Sequence, residues 1–517
     1  MTLSAVPRGK SRKSCRLPSP CPVRPVRAKF VPMGIRRYKG AAKEKGRLDF
    51  KAEELVPPDE LDERVQDFLD GYYLIGIWKD RKSFYALSEE DLKGRLGCIG
   101  GLFLCYVMDG ELEKAWDIIR RFGEDEGMRH ILILVHPGAT MRQIFDALDR
   151  LKKLNYHVNS VILSAGRPSV LNGVADFTRL GPFLERNREL FIEDIGFMYS
   201  QSLAPAVYEL CLAEWYYQQN RVAEAGAIVE RIIQEFDNDA QRRLLFVALY
   251  LKVRIEFSRD KIPDALGYIK NLRKFAHEEG EMEFSYNIDA AEAHVALFDG
   301  KYDIVSSWLG GEDAPDEFAD FCMLDLYRYM VKMRCYIVNK KFMATVAIAE
   351  RLRPLLQEGN RIMDLCELDL LLSICYFRAG ENKLALISFE RVLRTARRRG
   401  YFRLVADEGA AILPLLVRYI KSKGETPWLL SLAESTRDIA ASYPLYLMPV
   451  NKGGAVFTKI EISILKFLEQ GKSKEEIASY FFVSMNTVKF HMKSIYKKLD
   501  ASSPQQAVWE ARLLGII

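Results

Sequence analysis

A helix-breaking position recurs every 40 residues between residues 220 and 380 of the chain. The five positions are Asn220, Asp260, Gly300, Lys340 and Gly380. A fixed period of this length is typical of stacked helical hairpins, each of which buries its apolar face against its neighbours. The spacing therefore predicts a tetratricopeptide-like α-solenoid over residues 191–450.

Two columns of residues flank the breaks. Bulky apolar residues stand three positions before each break: Tyr217, Phe257, Leu297, Ile337 and Phe377. A second column stands five positions after each break: Ala225, Ala265, Val305, Thr345 and Ala385. Solenoids commonly bind partners on their concave surface, so we expect an unknown effector or protein partner there. Trp215 and Tyr336 are aromatic candidates for that contact, and packing is the alternative role for each.

The N-terminal region divides into two parts. Residues 1–46 hold 13 Lys and Arg, one Glu and six Pro, a composition that predicts a basic disordered tail. It is interpreted as a nucleic-acid-binding arm or as a dispensable extension, with Met33 as an alternative start. Residues 47–190 are predicted to be mostly helical, and 129–138 read as a strand or a buried helix.

Sequence motifs for enzymatic chemistry are missing from the printed sequence. Its nine cysteines include no CxxC pair, its six histidines no metal-binding spacing, and its two Gly-Lys-Ser tripeptides lack the first glycine of a phosphate-binding loop. We expect neither enzymatic activity, nor a cofactor, nor a metal. The apolar run 96–108 is shorter than the ~20 residues of a membrane span, and cysteine usage favours the cytoplasm.

The C-terminal residues carry several helix-start signals. Capping boxes are predicted at Thr458–Glu461, Ser473–Glu476 and Ser503–Gln506, and Ser484 is the expected N-cap of a further helix. These signals predict four helices, at about 458–470, 474–481, 485–499 and 504–514. A short turn separates the second helix from the third, which is the pattern of a helix-turn-helix.

The third of these helices has two different faces. One face carries the apolar residues Val488, Met492, Ile495 and Leu499 at helical spacing. The other carries Lys489, Lys493 and Lys497 with Phe490 among them. The apolar face is expected to hold the helix on its domain, leaving the basic face for DNA.

Residues 457–517 resemble the LuxR/GerE-type DNA-binding domain. The resemblance rests on Thr458, Glu461 and Gly471 and on the stretches KEEIA, VSMNTVKFH, KKL and QQAVWEARLLGI. Ile460 and Pro504 stand where the family often has arginine. The repeats are similar to the sensor region of large MalT-like members, although the ATPase domain of those proteins is not recognisable here.

The resemblance implies roles for individual residues. Lys489, Phe490 and Lys493 are expected to face the bases, and Ser484, Thr487 and Lys497 to lie near phosphates. In such domains the last helix commonly pairs with its twin, so Trp509, Leu513 and Ile516 are the expected dimer contacts. The alternative is that Trp509 packs against the solenoid or linker of its own chain.

The sequence as a whole predicts an all-α protein in which a tetratricopeptide-like α-solenoid precedes a small four-helix helix-turn-helix domain at 455–517. The expected function is that of a cytoplasmic bacterial transcription regulator that binds double-stranded DNA as a homodimer. The alternative is a helical-repeat scaffold for protein–protein contact with auxiliary DNA binding.

Overall fold

The computed structural model divides into two units, residues 1–54 and 55–517. The described residues lie in the second unit, with gaps at 70–76, 78–79, 123–124, 157–166, 174, 199–202, 236–241, 279–284, 312, 317, 320, 448–456, 500 and 514–516. The predicted tail at 1–46 lies outside the described residues. Within the described part the secondary structure is α-helix and short 3₁₀-helix, as expected.

The N-terminal helices are α1 (Pro58–Leu69), α2 (Arg81–Tyr85), α3 (Glu89–Leu92), α4 (Leu96–Met108), α5 (Leu112–Phe122), α6 (Glu126–Val135) and α7 (Met141–Lys153). Helix α4 is apolar on all sides and is buried along most of its length, as expected of a helix with neighbours on every face. The segment 129–138, left open by the sequence, is helical in α6 up to Val135.

Five helical hairpins follow the short helices α8 (Gly181–Leu184) and α9 (Arg188–Met198). They are α10 (Ala204–Gln218) with α11 (Val222–Glu235), α12 (Arg242–Ser258) with α13 (Ile262–Glu278), α14 (Ser285–Asp299) with α15 (Tyr302–Gly310), α16 (Leu326–Val338) with α17 (Phe342–Glu358), and α18 (Ile362–Arg378) with α19 (Asn382–Arg399). Each hairpin packs against the next along the chain, so the predicted repeat is confirmed.

The five break residues all adopt the left-handed backbone conformation. Their φ values are 65° at Asn220, 61° at Asp260, 68° at Gly300, 56° at Lys340 and 86° at Gly380. A left-handed residue ends a helix because it turns the chain so that the following amides reach the last carbonyls. The flanking columns are buried at nearly every position.

The superhelix closes on itself. Helices α20 (Phe402–Ala406), α21 (Gly409–Lys423) and α22 (Pro427–Ser442) follow the fifth hairpin. This return segment meets the first hairpin, where Gln219 Nε2 donates to the Gly400 carbonyl at 2.6 Å and the Leu404 amide donates to Gln218 Oε1 at 3.2 Å. The first and fifth repeats are therefore joined directly rather than lying at opposite ends of an open solenoid.

The inner surface is covered by the chain itself, which corrects the expectation of an open groove. A covering segment, residues 167–173 and 175–180, lies against the inner helices. Trp215 is packed so tightly against the following Gly181 that a Cβ there would lie 2.0 Å from its ring. Tyr336 is also buried, beneath the ammonium groups of Lys332 and Lys341. Neither aromatic candidate faces an open groove.

Arg361 holds the covering segment in place. Its guanidinium, which is 0% exposed, donates to Asp364 Oδ2 at 2.7 Å, to the Gly173 carbonyl at 2.8 Å and to Asn172 Oδ1 at 3.0 Å. Asn172 Nδ2 in turn donates to the carboxylate of Asp364 at 3.2 Å. A buried guanidinium is tolerated only when its donors are satisfied in this way.

We predict that Arg361→Ala destabilises the repeat domain by about 3–5 kcal/mol, because it leaves the Asp364 carboxylate buried with fewer partners. Urea unfolding of the full chain followed by circular dichroism measures the effect. Arg142→Ala removes an arginine whose side chain is 91% exposed and should change stability by less than about 0.5 kcal/mol. Equal losses in the two variants would contradict the anchoring role of Arg361.

The C-terminal domain contains α23 (Lys459–Glu469), α24 (Lys474–Tyr480), α25 (Met485–Leu499) and α26 (Pro504–Leu513). These bounds agree with the four predicted helices to within a residue or two. The domain has its own buried apolar cluster, to which Leu445, at the end of the repeat region, adds a partly buried side chain. Among the described residues, no helix of the chain is long and apolar enough to cross a membrane.

Candidate nucleic-acid interface

Helix α25 presents one buried and one exposed face. Val488 and Ile495 are fully buried in the domain core, together with Met492 and Leu499. On the opposite face Lys489, Lys493 and Lys497 are exposed. Phe490 lies among them with 70% of its surface exposed, and its ring stands 5.8 Å from that of His491. The apolar stripe predicted from the sequence is therefore confirmed as the buried side of the helix.

Hydroxyl groups mark the N-terminus of α25. The amide of Thr487 donates to Ser484 Oγ at 3.2 Å, which confirms Ser484 as the N-cap. The hydroxyls of Ser484 and Thr487 lie 2.9 Å apart. Because the first amides of a helix point outwards and its dipole is positive there, this end of α25 favours an anion such as a phosphate.

Two of the three predicted capping boxes form as expected. Thr458 with Glu461 and Ser473 with Glu476 exchange both cap hydrogen bonds.

Of the two hydrogen bonds predicted for the third capping box, one forms and the other does not. The Gln506 amide donates to Ser503 Oγ at 3.1 Å, but Gln506 Oε1 accepts from the amide and hydroxyl of Ser502, each at 2.9 Å. The donor to the Gln506 side chain is therefore Ser502, whereas the sequence pattern predicted Ser503.

An ion pair that the sequence did not reveal ties α25 to the first helix of the domain. Lys498 Nζ lies 2.6 Å from Glu461 Oε2, and both side chains are largely buried. Burial alone would raise the pKa of Glu461, but hydrogen bonds from Lys498, the Thr458 amide and Ser494 hold that pKa below its ordinary value. The carboxylate therefore caps α23 and fixes the C-terminal end of α25 at the same time.

We predict that Glu461→Gln loosens α25 by about 1–3 kcal/mol, because it leaves the largely buried ammonium of Lys498 without its carboxylate. Hydrogen exchange of residues 485–499 in the full chain measures the loss. Since the pKa of Glu461 is lowered by folding, its contribution is complete above the unfolded-state value of about 4.3 and is lost as the pH falls through the folded-state pKa.

Glu475→Gln is the matched control, because Glu475 is an exposed glutamate in the first turn of the neighbouring helix. It should leave the exchange of α25 unchanged. If the two variants exchange equally fast at neutral pH, the link through Glu461 does not hold the helix.

Phe482 is the second feature missed at the sequence level. It lies in the turn before α25 with a φ of 53°, and 96% of its surface is exposed. A bulky residue rarely adopts this conformation, which glycine adopts without strain. Together with exposed Tyr480 and Val483 it forms an apolar surface beside the helix-turn-helix.

The last helix also has two sides. Ala507 and Ala511 are fully buried against the domain, whereas Trp509 is 62% exposed. The side chain of Leu513 and all of Ile516 lie outside the described residues. Of the three predicted dimer contacts, the structure therefore locates Trp509 alone, and it places that ring on the surface.

The charge of this region suits a polyanionic partner, since residues 452–517 hold 10 Lys and Arg against 6 Asp and Glu. Nothing in the described residues points to a metal-dependent site instead, because no group of three His, Cys, Asp or Glu is placed to hold an ion. The interface is thus built from cationic, aromatic and hydroxyl side chains.

Comparison with protein families agrees with the repeat region and with the C-terminal domain. Residues 455–511 match the family described as bacterial regulatory proteins, luxR family, and residues 199–422 match the MalT-like TPR region. The first match covers the helix-turn-helix, and the second covers all five helical hairpins.

Individual relatives match over short stretches. The chain is 36% identical over 67 residues to the HTH-type transcriptional regulator AlkS of Pseudomonas putida. This match covers 13% of this chain and 8% of the relative. AlkS of Ectopseudomonas oleovorans is 28% identical over 143 residues, 27% of this chain and 16% of the relative. The regulatory protein SdiA of Escherichia coli K12 is 39% identical over 61 residues, 12% of this chain and 25% of the relative. The chain thus spans only a small part of each relative.

Proposed function

Because the chain belongs to the LuxR family of DNA-binding transcriptional regulators, we propose that α25 enters the major groove while the helical repeats sense an effector. In this proposal the protein acts in the bacterial cytoplasm. The observation that carries it is the division of α25 into a fully buried apolar stripe and an exposed face of lysines with one phenylalanine.

The exposed face suits direct readout of base edges. Lys489 and Lys493 are one helical turn apart, so their ammonium groups reach neighbouring positions along the groove. An ammonium group donates to guanine O6 and N7, and an apolar ring packs on a thymine methyl group. We assign Lys489, Phe490 and Lys493 to the bases on these grounds.

The ends of α25 suit the phosphate backbone. Ser484 and Thr487 place two hydroxyls at the helix N-terminus, where the helix dipole favours a phosphate. Lys497 is exposed one turn beyond Lys493 and supplies a positive charge at the other end. We assign these three residues to phosphate contacts, which position the helix without reading sequence.

We predict that Lys489→Ala and Lys493→Ala each weaken binding of the full chain to its specific site by about 1–3 kcal/mol and affect bulk DNA less. The site is first selected from a random duplex library, and affinities are then measured by fluorescence anisotropy at fixed salt. Lys497→Ala should instead weaken binding to both DNAs and reduce the salt dependence.

Lys466→Ala is the control for this series, because Lys466 is an exposed lysine on the supporting helix α23. It should change the affinity for the selected site little. If a Lys489 or Lys493 variant loses the same affinity for selected and bulk DNA, that lysine contacts the phosphate backbone of the DNA and does not read the bases.

We further propose that two chains bind DNA as a two-fold dimer through α26. The support is Trp509, whose large ring is mostly exposed while Ala507 and Ala511 on the same helix are buried. Exposed tryptophan is frequent at the centres of protein interfaces, where it supplies a large contact area. A two-fold dimer would read a pair of half-sites.

We predict that Trp509→Ala weakens binding of the full chain to a duplex with two half-sites by roughly tenfold or more, the loss typical of an interface hot spot. Binding to a single half-site should stay the same, as measured by gel shift with both duplexes. Gln505→Ala, which alters an exposed residue of the same helix, is the control. Unchanged binding of Trp509→Ala to both duplexes would exclude this helix as the dimer contact.

A further inference from the structure

A cavity of about 130 Å³ lies inside the closed superhelix. Its walls come from the covering segment at 167–178, from the inner helices α10, α12, α14, α16 and α18, and from the return segment. At about 10–15 Å³ for each water position, it has room for a ligand of on the order of ten non-hydrogen atoms. A peptide or an oligosaccharide is too large for this space.

One side of the cavity is apolar. Phe257 and Phe298 line it with their ring centroids 4.0 Å apart, and Val253, Ala291 and Val295 lie beside them. These side chains form a surface that suits a flat apolar group, because burying such a group removes apolar area from water on both partners.

Most charged groups around the cavity are satisfied by the protein itself. Arg334 donates to Glu367 at 2.9 Å and to Glu408 at 2.5 Å. Glu214 accepts hydrogen bonds from Ser169 Oγ and from two amides of the covering segment. These groups hold the walls together and have little capacity left for a ligand.

Arg254 differs from the other arginines of the cavity. Among the described residues its guanidinium makes one ion pair, at 3.7 Å with Asp407. Asp407 is already occupied, since it accepts from Tyr217 Oη at 2.8 Å and pairs with Arg403 at 2.5 Å. The side chain of Arg254 is 32% accessible, so it lines the cavity as a cation whose hydrogen bonds are still available.

His294 supplies a second available group in the same cavity. Its Nε2 is buried without a hydrogen-bond partner in the part of the chain that the structure describes, and its Nδ1 lies 3.5 Å from Tyr327 Oη. Burial lowers the pKa of His294 well below its ordinary value, and nearby Arg334 and Arg254 lower it further, so the ring is neutral. When the tyrosine hydroxyl donates to Nδ1, Nε2 carries the proton and becomes a donor.

We propose that this cavity is the effector site and that it binds a small monocarboxylic acid with an apolar body. The carboxylate accepts from Arg254 and from Nε2 of His294, and the apolar body rests on Phe257 and Phe298. The proposal rests on the sensing role given to the repeats above. A cationic ligand would be repelled by the guanidinium of Arg254, and a neutral one would leave that guanidinium with the Asp407 carboxylate at 3.7 Å as its anionic partner.

The direct test is calorimetric titration of the full chain with benzoate in the absence of DNA. Benzamide and benzylamine, of the same shape but neutral and cationic, are titrated in parallel. We expect saturable benzoate binding with a Kd of about 1 mM or below. The two analogues should bind at least roughly tenfold more weakly, because they lack the charge-assisted hydrogen bonds.

Variants assign the binding to the cavity. Arg254→Gln should weaken benzoate binding roughly ten- to hundredfold, the range expected for a lost hydrogen bond to a charged group. Arg259→Gln is the matched control, because Arg259 is 33% accessible, against 32% for Arg254, and pairs with Glu256 away from the cavity. Circular dichroism establishes that each variant is folded, and His294→Phe provides a second test if Arg254→Gln is not.

Three results would overturn the proposal. The first is no benzoate binding at about 10 mM, where a site with a Kd of ~1 mM would be mostly occupied. The others are benzamide binding as tight as that of benzoate, and an equal loss of benzoate affinity in Arg254→Gln and Arg259→Gln. Because these titrations contain no DNA, their outcome is independent of whether α25 reads the major groove. If the full chain binds benzoate but selects no DNA site, the proposed major-groove contact of α25 fails and the effector site does not.

Discussion

The fold depends on ion pairs buried inside the superhelix. Helix α18 carries three buried acidic side chains, and each is paired with two arginines, one of which, Arg361, is the N-cap of α18 itself while the others lie on other elements. Asp364 pairs with Arg361 and Arg167, Glu367 with Arg334 and Arg167, and Asp369 with Arg353 and Arg391. A buried carboxylate without such partners costs several kcal/mol. The covering segment, the fourth repeat and the fifth repeat must therefore assemble together.

We infer that these pairs select one arrangement of the elements more than they add to the free energy of unfolding. Replacing a buried ion pair by apolar residues is often neutral or favourable, whereas removing one partner is costly. Arg167 illustrates the point, because it reaches from the covering segment to two carboxylates of α18. A segment that slipped by one residue would lose both.

The local features could be predicted from the sequence, and the long-range ones could not. The 40-residue period, the caps at Thr458 and Ser473 and the stripe on α25 depend on residues a few positions apart. Closure of the superhelix depends on pairs such as Gln219 with Gly400, 181 residues apart, and no periodicity marks such a contact. For the same reason the sequence did not show where its aromatic candidates lie: Trp215 packs against Gly181 and Gly400 and lines the closed cavity, whereas Tyr336 is buried elsewhere.

The C-terminal domain shows a different limit of prediction. The capping-box pattern explains why a glutamate stands at position 461. The additional hydrogen bond that this glutamate accepts from Lys498 on α25 has no sequence pattern of its own. Phe482 adopts a conformation that is usually assigned to glycine, and a phenylalanine gives no warning of it. The base-facing, phosphate and dimer assignments remain predictions, because they concern contacts with molecules outside the chain.

A short path connects the cavity with the DNA-binding domain. Glu408, in the cavity wall, accepts a hydrogen bond from Tyr446 Oη at 2.8 Å, and the ring of Tyr446 stacks on Phe298 at 3.6 Å. The preceding residue, Leu445, packs into the core of the C-terminal domain, while its carbonyl accepts from Tyr302 Oη at 2.9 Å. An effector can shift DNA binding only to the extent that it binds two arrangements of the protein with different affinity. A ligand that rests on Phe298 meets this condition wherever the stacking of Tyr446 differs between the two arrangements, because the ligand and Tyr446 share that ring.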